Sequence, residues 1–587
     1  MSEERQTVET ASRVLLGLAA VAIAFAAADT YVVVLALPDM MTAGGLDVDQ
    51  LQRGAPIVSG FLLGYVGVLP LIGRISDLRG RVPVLLGSLV IFAIGSVLTA
   101  SAPGLTTIVI GRVLQGLGGG GLVPPTLALV ADLWPPRRRG LPLGLVGAVQ
   151  ELGSVLGPLY GALVLAVGSW RDIFWLNAAV GLVLAAALLR VRGAVRTPTT
   201  TPPARFDLLG AALLAAALAV LSLLMLQPPG LTSGVTTGLA FLPIAGDSRW
   251  TSPLALVLGT LVAAFLLRQV TARRPLLAWR AWPELARRTD VLGAGLLAVL
   301  LGAVILTFAS AEPETAAISA SAWWLLPVAV LAGGGFVLRQ RRARDPLIPR
   351  GALAARPAWG ALVVSFVVGA SLIAALVDIP FFARLTVHRD SQLDAALVLV
   401  RFLLALPVGA VLGGVALRRV SPAVLTSAAM VLSAVAFWHM TTWDAQSLAD
   451  PLETVSLVAA GLGFGLAIAP VNAVLLEHTA SAVHGVASAL LVVARMVGML
   501  VGISVLTAIG LRAFYAASAR IPPTTTLCPE GEQLCQAYRD AVREAGIAQL
   551  HAVFWGAAIC ALLAAVLAAV LLRGTRRAPR PVDTLLP

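Results

Sequence analysis

The sequence contains no lysine; all 42 of its strongly basic residues are arginine. That absence excludes chemistry. A nucleotide-binding P-loop needs lysine to reach the phosphates, and Schiff-base sites for retinal or pyridoxal form on lysine. Work driven by ATP within this chain is therefore not expected, and energy must come from an ion gradient or another protein. Charge of either sign is scarce, at 12% of residues against about 25% in a soluble domain. Histidine is also scarce: His439, His478, His484 and His551 show no metal-ligand spacing. His388-Arg389-Asp390 mimics a kinase triplet without kinase context, and Gly461-Leu-Gly463-Phe-Gly465 reads as helix packing rather than a nucleotide loop. No catalytic His/Asp or Cys/His pair suggests an enzyme such as a membrane acyltransferase, so no enzymatic activity, cofactor or metal is expected.

What the sequence does have is apolar length. It is 58% hydrophobic over 587 residues, with a mean hydropathy of +0.91, where soluble domains are about 45–50% apolar. The apolar runs are about 20 residues each, enough to cross a hydrocarbon core of about 30 Å. Sixteen runs are predicted to span: 14–37, 55–74, 83–101, 106–131, 141–167, 173–190, 207–227, 252–270, 289–310, 322–338, 357–382, 393–417, 423–441, 453–475, 483–515 and 537–573. Each is expected to be helical, because an open strand leaves its backbone unsatisfied in lipid. The first run is too long for a secretory signal and lacks a convincing cleavage site, so it reads as a span.

The arginines cluster between these runs, at Arg74/Arg79/Arg81, Arg137/Arg138/Arg139, Arg190/Arg192/Arg196, Arg273/Arg274, Arg287/Arg288, Arg339/Arg341/Arg342/Arg344, Arg418/Arg419 and Arg573/Arg576/Arg577. The alternate loops carry acids: Asp47/Asp49, Asp247, Glu312/Glu314, Asp444/Asp450 and Glu530/Glu532. This alternation follows the positive-inside rule and predicts a plasma (inner) membrane protein with both termini cytoplasmic. It also accounts for the net charge of +12 without nucleic acid as a partner.

The spans group as six, four and six. The expected divisions are an N-terminal half, 1–195, a linker region, 196–350, and a C-terminal half, 351–587. The linker region contains an internal repeat. Arg205-Phe-Asp-Leu-Leu-Gly-Ala opens one copy and Arg288-Thr-Asp-Val-Leu-Gly-Ala the other; Arg273-Arg-Pro-Leu-Leu and Arg344-Asp-Pro-Leu-Ile close them. Each copy is predicted to be a helix hairpin. The last two spans are too long for a bilayer and predict an external helical hairpin over 512–548. Cys528 and Cys535 lie at its tip, in a short loop facing an oxidising compartment; a disulfide is expected there, with two unpaired thiols as the alternative.

Several motifs resemble those of the major facilitator superfamily. Gly73-Arg-Ile-Ser-Asp77-Leu-Arg79-Gly80-Arg81 resembles its signature cytoplasmic loop, in which glycines allow a turn and close approach and Asp77 can cap a helix or pair with an arginine. The resemblance implies a conformational lock at Gly73, Asp77, Gly80 and Arg81. A degenerate echo without the acid, Gly413-Gly-Val-Ala-Leu-Arg418-Arg419, occupies the matching loop of the last six spans. Gly111-Arg112-Val-Leu-Gln115-Gly116 resembles the Arg-x-x-Gln-Gly motif. Gly153-Ser-Val-Leu-Gly157-Pro158-Leu-Tyr-Gly161 resembles the antiporter motif, although the family's last glycine is Ala162 here. Trp170-Arg-Asp-Ile-Phe-Trp175-Leu-Asn177 matches the start of span six. The implied fold is all-α and polytopic: two six-helix halves with four extra middle helices.

Span one, from Asp29 to Pro38, resembles that of fourteen-helix drug:proton antiporters but departs at Tyr31 and Val34. Together with Gln150-Glu151, Leu376-Val-Asp378 and Val492-Val-Ala-Arg495-Met, it is more similar to the mycobacterial triacylglyceride-exporting transporters. That subgroup acts with a periplasmic lipoprotein, has one middle hairpin rather than two, and carries an arginine near Glu477. The resemblance implies a lipid or other hydrophobic substrate; a multidrug:proton antiporter is the alternative, and a receptor or scaffold using the external hairpin is a third reading. A lipid exporter needs an apolar cavity, whereas a cation-drug antiporter needs acidic and aromatic groups in it.

Ionisable groups inside a bilayer are costly and mark function by default. The deep ones are Asp29, Arg112, Glu151, Asp378, Arg401 and Arg495. Burial raises a carboxylate's pKa and a nearby arginine lowers it, so contacts made and broken between Asp29 or Glu151 and Arg495 could couple protons to transport. Arg112 could take part or only lock helix packing; Asp378 and Arg401 are weaker candidates that could face water. The protein is expected to work as a monomer in contact with membrane lipid.

Overall fold

The computed structural model describes residues 2–46, 51–191, 207–272, 275–276, 282–309, 321–388, 391–528 and 535–573. Outside them lie several positions named above: Asp47 and Asp49, the linker arginines Arg192 and Arg196, Arg205, Arg273 and Arg274, Glu312 and Glu314, Arg389 and Asp390, Glu530 and Glu532, and Arg576 and Arg577. Among the described residues there is no strand.

The helices are α1 Ser2–Ala43, α2 Leu51–Arg79, α3 Arg81–Ala100, α4 Leu105–Gly120, α5 Val123–Leu133, α6 Gly140–Val167, α7 Trp170–Val191, α8 Leu208–Leu226, α9 Pro229–Thr232, α10 Pro253–Thr271, α11 Trp282–Arg288, α12 Val291–Ala309, α13 Ala322–Arg342, α14 Arg356–Leu385, α15 Gln392–Ala416, α16 Pro422–Met440, α17 Thr454–Glu477, α18 His484–Ser518, α19 Thr524–Leu527 and α20 Gln536–Leu571. Fifteen of the described helical segments are long and apolar enough to cross a membrane, and a bent pair gives a sixteenth. Each predicted span has its helix.

Two spans differ in detail from the simple expectation. The fourth is not one continuous helix but α4 and α5, which meet at Gly121–Leu122. The glycines at 118–121 are poor helix formers, and Pro124 and Pro125 supply no backbone N–H, so the ladder breaks into the tight turn Leu122 N to Gly119 O. The ninth is α12, which α11 precedes at a bend of 63°. The bend falls at Asp290, whose φ is +47°, a left-handed conformation that aspartate tolerates better than most residues.

The contacts divide the chain into two units. One contains Met1–Leu122, Gly157–Gly295 and Phe336–Leu347; the other contains Val123–Leu156, Leu296–Gly335 and Ile348–Pro587. The stretch Val123–Leu156 thus groups with the last six spans, and the division cuts α6 between Leu156 and Gly157. In the first unit α4 packs on α2 and α3, and α7 packs on α1 and α3. In the second, α15 packs on α17, α14 on α18 and α20, α16 on α17 and α20, and α5 on α18. That core is aromatic, with Phe382, Trp443 and Phe554 in mutual ring contact and Phe464 edge-on to Phe402 and Phe437.

The two middle hairpins share the same pattern of bonds. In the first hairpin Asp207 caps α8: its Oδ1 accepts from the Gly210 amide at 3.1 Å and from Arg268, near the end of α10, at 3.0 Å. In the second, Asp290 Oδ1 accepts from the Gly293 amide at 3.2 Å and from Arg339, near the end of α13, at 2.9 Å. Both aspartates are buried while both arginines are half-exposed. Each hairpin is clasped by the same Asp–Arg pair at one end.

The last two long helices exceed the length of a bilayer crossing. α18 has 35 residues and α20 has 36, against about 20 for a bilayer crossing. Arg512, Arg539, Asp540, Arg543 and Glu544 lie in the surplus length, and Cys528 is bonded to Cys535 with Cα atoms 5.5 Å apart.

Candidate functional site

At the loop between α2 and α3 a single residue separates two helices. Gly80 has φ +92°, a conformation costly for any residue with a Cβ. The turn returns Arg81 onto the end of α2, where its guanidinium donates to Asp77 and, at 3.0 Å, to Ser76 Oγ. Gly73 lies buried one turn before Asp77. The signature loop thus contains its own ion pair.

Deeper in the same unit, Asp29 and Arg112 are fully buried and form an ion pair of 2.6 Å. A buried charge is costly unless it is paired and hydrogen-bonded. Arg112 Nη1 also donates to Gln115 Oε1 at 3.0 Å, and Nε donates to the Ile57 carbonyl at 3.2 Å. Its guanidinium lies 4.5 Å from the Phe61 ring centre and 5.7 Å from that of Phe174. Gln115 is held in turn by Ser96 and Thr99 on α3. The other Asp29 oxygen accepts from the Asn177 side-chain amide. Tyr160 fixes that amide: its hydroxyl lies 3.2 Å from Asn177 Oδ1 and 3.0 Å from the Ile173 carbonyl. Helices α1, α2, α3, α4, α6 and α7 meet in one polar network inside an apolar core.

The antiporter motif brings α6 to this network. A Cβ on Gly157 would lie 2.5 Å from the Ala28 carbonyl, and one on Gly161 2.5 Å from Val32 Cγ2. Only glycine permits that approach to α1 beside Asp29. Pro158 lies inside α6, and Gly153 is buried in the preceding turn.

The second unit contains the other acidic site. Glu151 on α6 and Arg495 on α18 approach to 4.0 Å, with side chains 15% and 20% exposed. They border a cavity of about 50 Å³. Gln150, Ser365 and Asn472 supply its remaining polar side chains, and Val123, Leu127, Val146, Val368, Phe464, Ile468 and Leu491 are among its apolar ones. Ser365 and Asn472 donate to the Leu491 and Ile468 carbonyls, so within this lining the charged pair is Glu151 and Arg495. Asp378 is half-buried on α14, and Arg401 donates to Thr454 Oγ1 at 2.9 Å.

The structure therefore brings Asp29 to Arg112 and Glu151 to Arg495. Asn177, Gln115 and Tyr160 belong to motifs visible in the sequence, but nothing in the spacing marks them as ligands of Asp29 and Arg112; a polar side chain in mid-span is their one signal. Ser365 and Asn472 carry no sequence signal beyond the same polarity. Among the described residues no group of His, Cys, Asp or Glu has the arrangement of a metal site.

The Major Facilitator Superfamily family model matches residues 19–340. The triacylglyceride transporter of Mycobacteroides abscessus is 34% identical over 531 residues, covering 87% of this chain and 86% of that protein. The triacylglyceride transporter of Mycobacterium tuberculosis strain H37Rv is 35% identical over 547 residues, covering 90% and 89%. Among solved structures, a proton:xylose symporter of the superfamily covers 95% of each chain with a TM-score of 0.52 at 14% identity, a likeness of fold. With fifteen apolar helices long enough to span among its described residues, a bent pair that could make a sixteenth, and these relatives along most of its length, the chain is a multi-pass membrane transporter that belongs to the major facilitator superfamily.

Proposed function

We propose that this transporter exports lipid, triacylglyceride being the favoured substrate, in exchange for protons. The observation that carries the reading is the Glu151–Arg495 pair, 4.0 Å apart on the wall of a largely apolar cavity. At that distance the pair is loose, so Glu151 can take up a proton as the contact opens and lose it as the contact re-forms. Asp29, held by Arg112 and Asn177, is the second proton-handling group. The cavity lining supports a greasy substrate over a cationic drug, since among the described residues Glu151 is its one acid and Phe464 its one aromatic side chain. The names of the relatives point the same way. The protein would lie in the plasma membrane with both termini cytoplasmic, act as a monomer, and could hand lipid to a periplasmic lipoprotein at the hairpin of α18 and α20.

Reconstituted vesicles test this directly. Fluorescent triacylglyceride and a cationic dye are offered with and without an imposed pH gradient. Lipid movement that follows the gradient is expected, and it should be lost in Glu151→Gln and in Asp29→Asn. Gradient-driven dye transport without lipid transport would favour the drug antiporter; full lipid transport by both variants would sink the proton role.

A further inference from the structure

We infer that the segment joining α8 to α10 is a lipid-seated cap, lying in the membrane interface at the end of the first hairpin opposite the Asp207–Arg268 clasp. Residues 228–252 form an ordered fold rather than a slack loop. It contains α9, two short 3-10 turns and the cross-link from the Ile244 amide to the Thr251 carbonyl at 3.1 Å.

Asp247 is exposed on the cap, a charge that must reach headgroups or water. Several of the cap's hydroxyls bond its own backbone. Ser233 donates to the Pro229 carbonyl and Thr237 to that of Leu231, each at 2.7 Å. Thr251 donates to Ala245 at 2.7 Å and Ser252 to Arg249 at 2.8 Å. Arg249 donates to the Met225 carbonyl at the end of α8, at 3.1 Å. Meanwhile the large apolar side chains point outward. Val235 is 91% exposed, Leu239 61%, Leu242 58%, Ile244 66% and Trp250 55%. A surface of outward apolar side chains that also carries one exposed charge suits the membrane interface and is opposed by bulk water.

The occupant follows from continuity. The exposed apolar surface runs from Trp250 directly into α10, where Leu256, Val262 and Leu266 also face outward on a helix apolar enough to span. Tryptophan is favoured at this membrane depth. The contrast within the chain is residues 441–453, where Trp443 is buried and Asp444 and Asp450 hold exposed turns. A protein partner or a second copy is the competing occupant.

Collision-quenching spectroscopy distinguishes them. Nitroxide labels are placed at Val235→Cys, Leu239→Cys and Ile244→Cys, in full-length protein reconstituted in vesicles. The background is Cys560→Ser with the Cys528–Cys535 disulfide intact, and Asp444→Cys is the water-exposed reference. Seating in lipid should give oxygen-to-nickel-chelate collision ratios several-fold above the reference at all three positions. Nickel access like that of the reference would overturn the proposal in favour of water. Protection from both quenchers would overturn it in favour of a protein cover.

Discussion

Asn177 donates its side-chain amide to Asp29 across 148 residues of sequence, so one oxygen of the buried carboxylate is held by α7 while Arg112 holds the other. Replacing Asn177 by leucine leaves that oxygen without a donor. An unsatisfied buried acceptor costs about 1–3 kcal/mol. Asn177→Leu should lower the unfolding temperature in detergent and reduce transport, and Asn177→Gln should not rescue it, because the longer amide cannot keep both Asp29 and Tyr160.

Arg112 and Asp29 should show strong non-additivity. Arg112→Leu alone leaves a buried carboxylate unpaired, and breaking a buried pair costs about 3–5 kcal/mol. Adding Asp29→Asn removes the stranded charge. The double variant should therefore be more stable than Arg112→Leu, although still inactive. Chemical denaturation of the four-member cycle measures the coupling; additive losses would show that the pair contributes little.

Tyr160→Phe is a gentler probe. The ring stays, with its contact to Phe25, and only the hydroxyl near Asn177 is lost. One hydrogen bond of this kind contributes about 0.5–1.5 kcal/mol. A small drop in stability with a shifted pH profile of transport is expected; an unchanged profile would confine Tyr160 to packing.

Glu151→Gln should separate stability from function. The pair is loose and partly exposed, so its loss should cost less than about 1 kcal/mol, whereas gradient-driven transport should disappear. Differential scanning fluorimetry and vesicle transport on the same preparation give both readings.

The two clasps make a symmetric test. Arg268→Ala and Arg339→Ala each strand a buried aspartate at a helix N-terminus. Each should increase protease sensitivity within its own hairpin and leave the other intact. Cleavage in both hairpins after either single change would mean that the hairpins are not independent units.

Much of the architecture was legible in the sequence. Each of the sixteen apolar runs contains a helix, since in lipid a run of that length has no alternative open structure. Asp207 and Asp290 stand at equal offsets before Gly210 and Gly293 in the sequence, and in the structure each accepts from that glycine's amide; Cys528 and Cys535, seven residues apart, are bonded. The break at Gly121 was less legible, since its glycines and prolines also suit a packed or kinked helix.

The sequence by itself determined which residues enter the membrane and which deep charges must find partners, because hydrophobic length and the cost of a buried charge are local properties. Only the tertiary structure decided the pairing. Asp29 has Arg112, Asn177 and, behind them, Gln115 and Tyr160; Glu151 has Arg495. Helical periodicity tells which face a side chain occupies on its own helix. It does not tell which of several facing helices supplies the nearest donor, a choice set by how closely glycines such as Gly157 let the backbones approach.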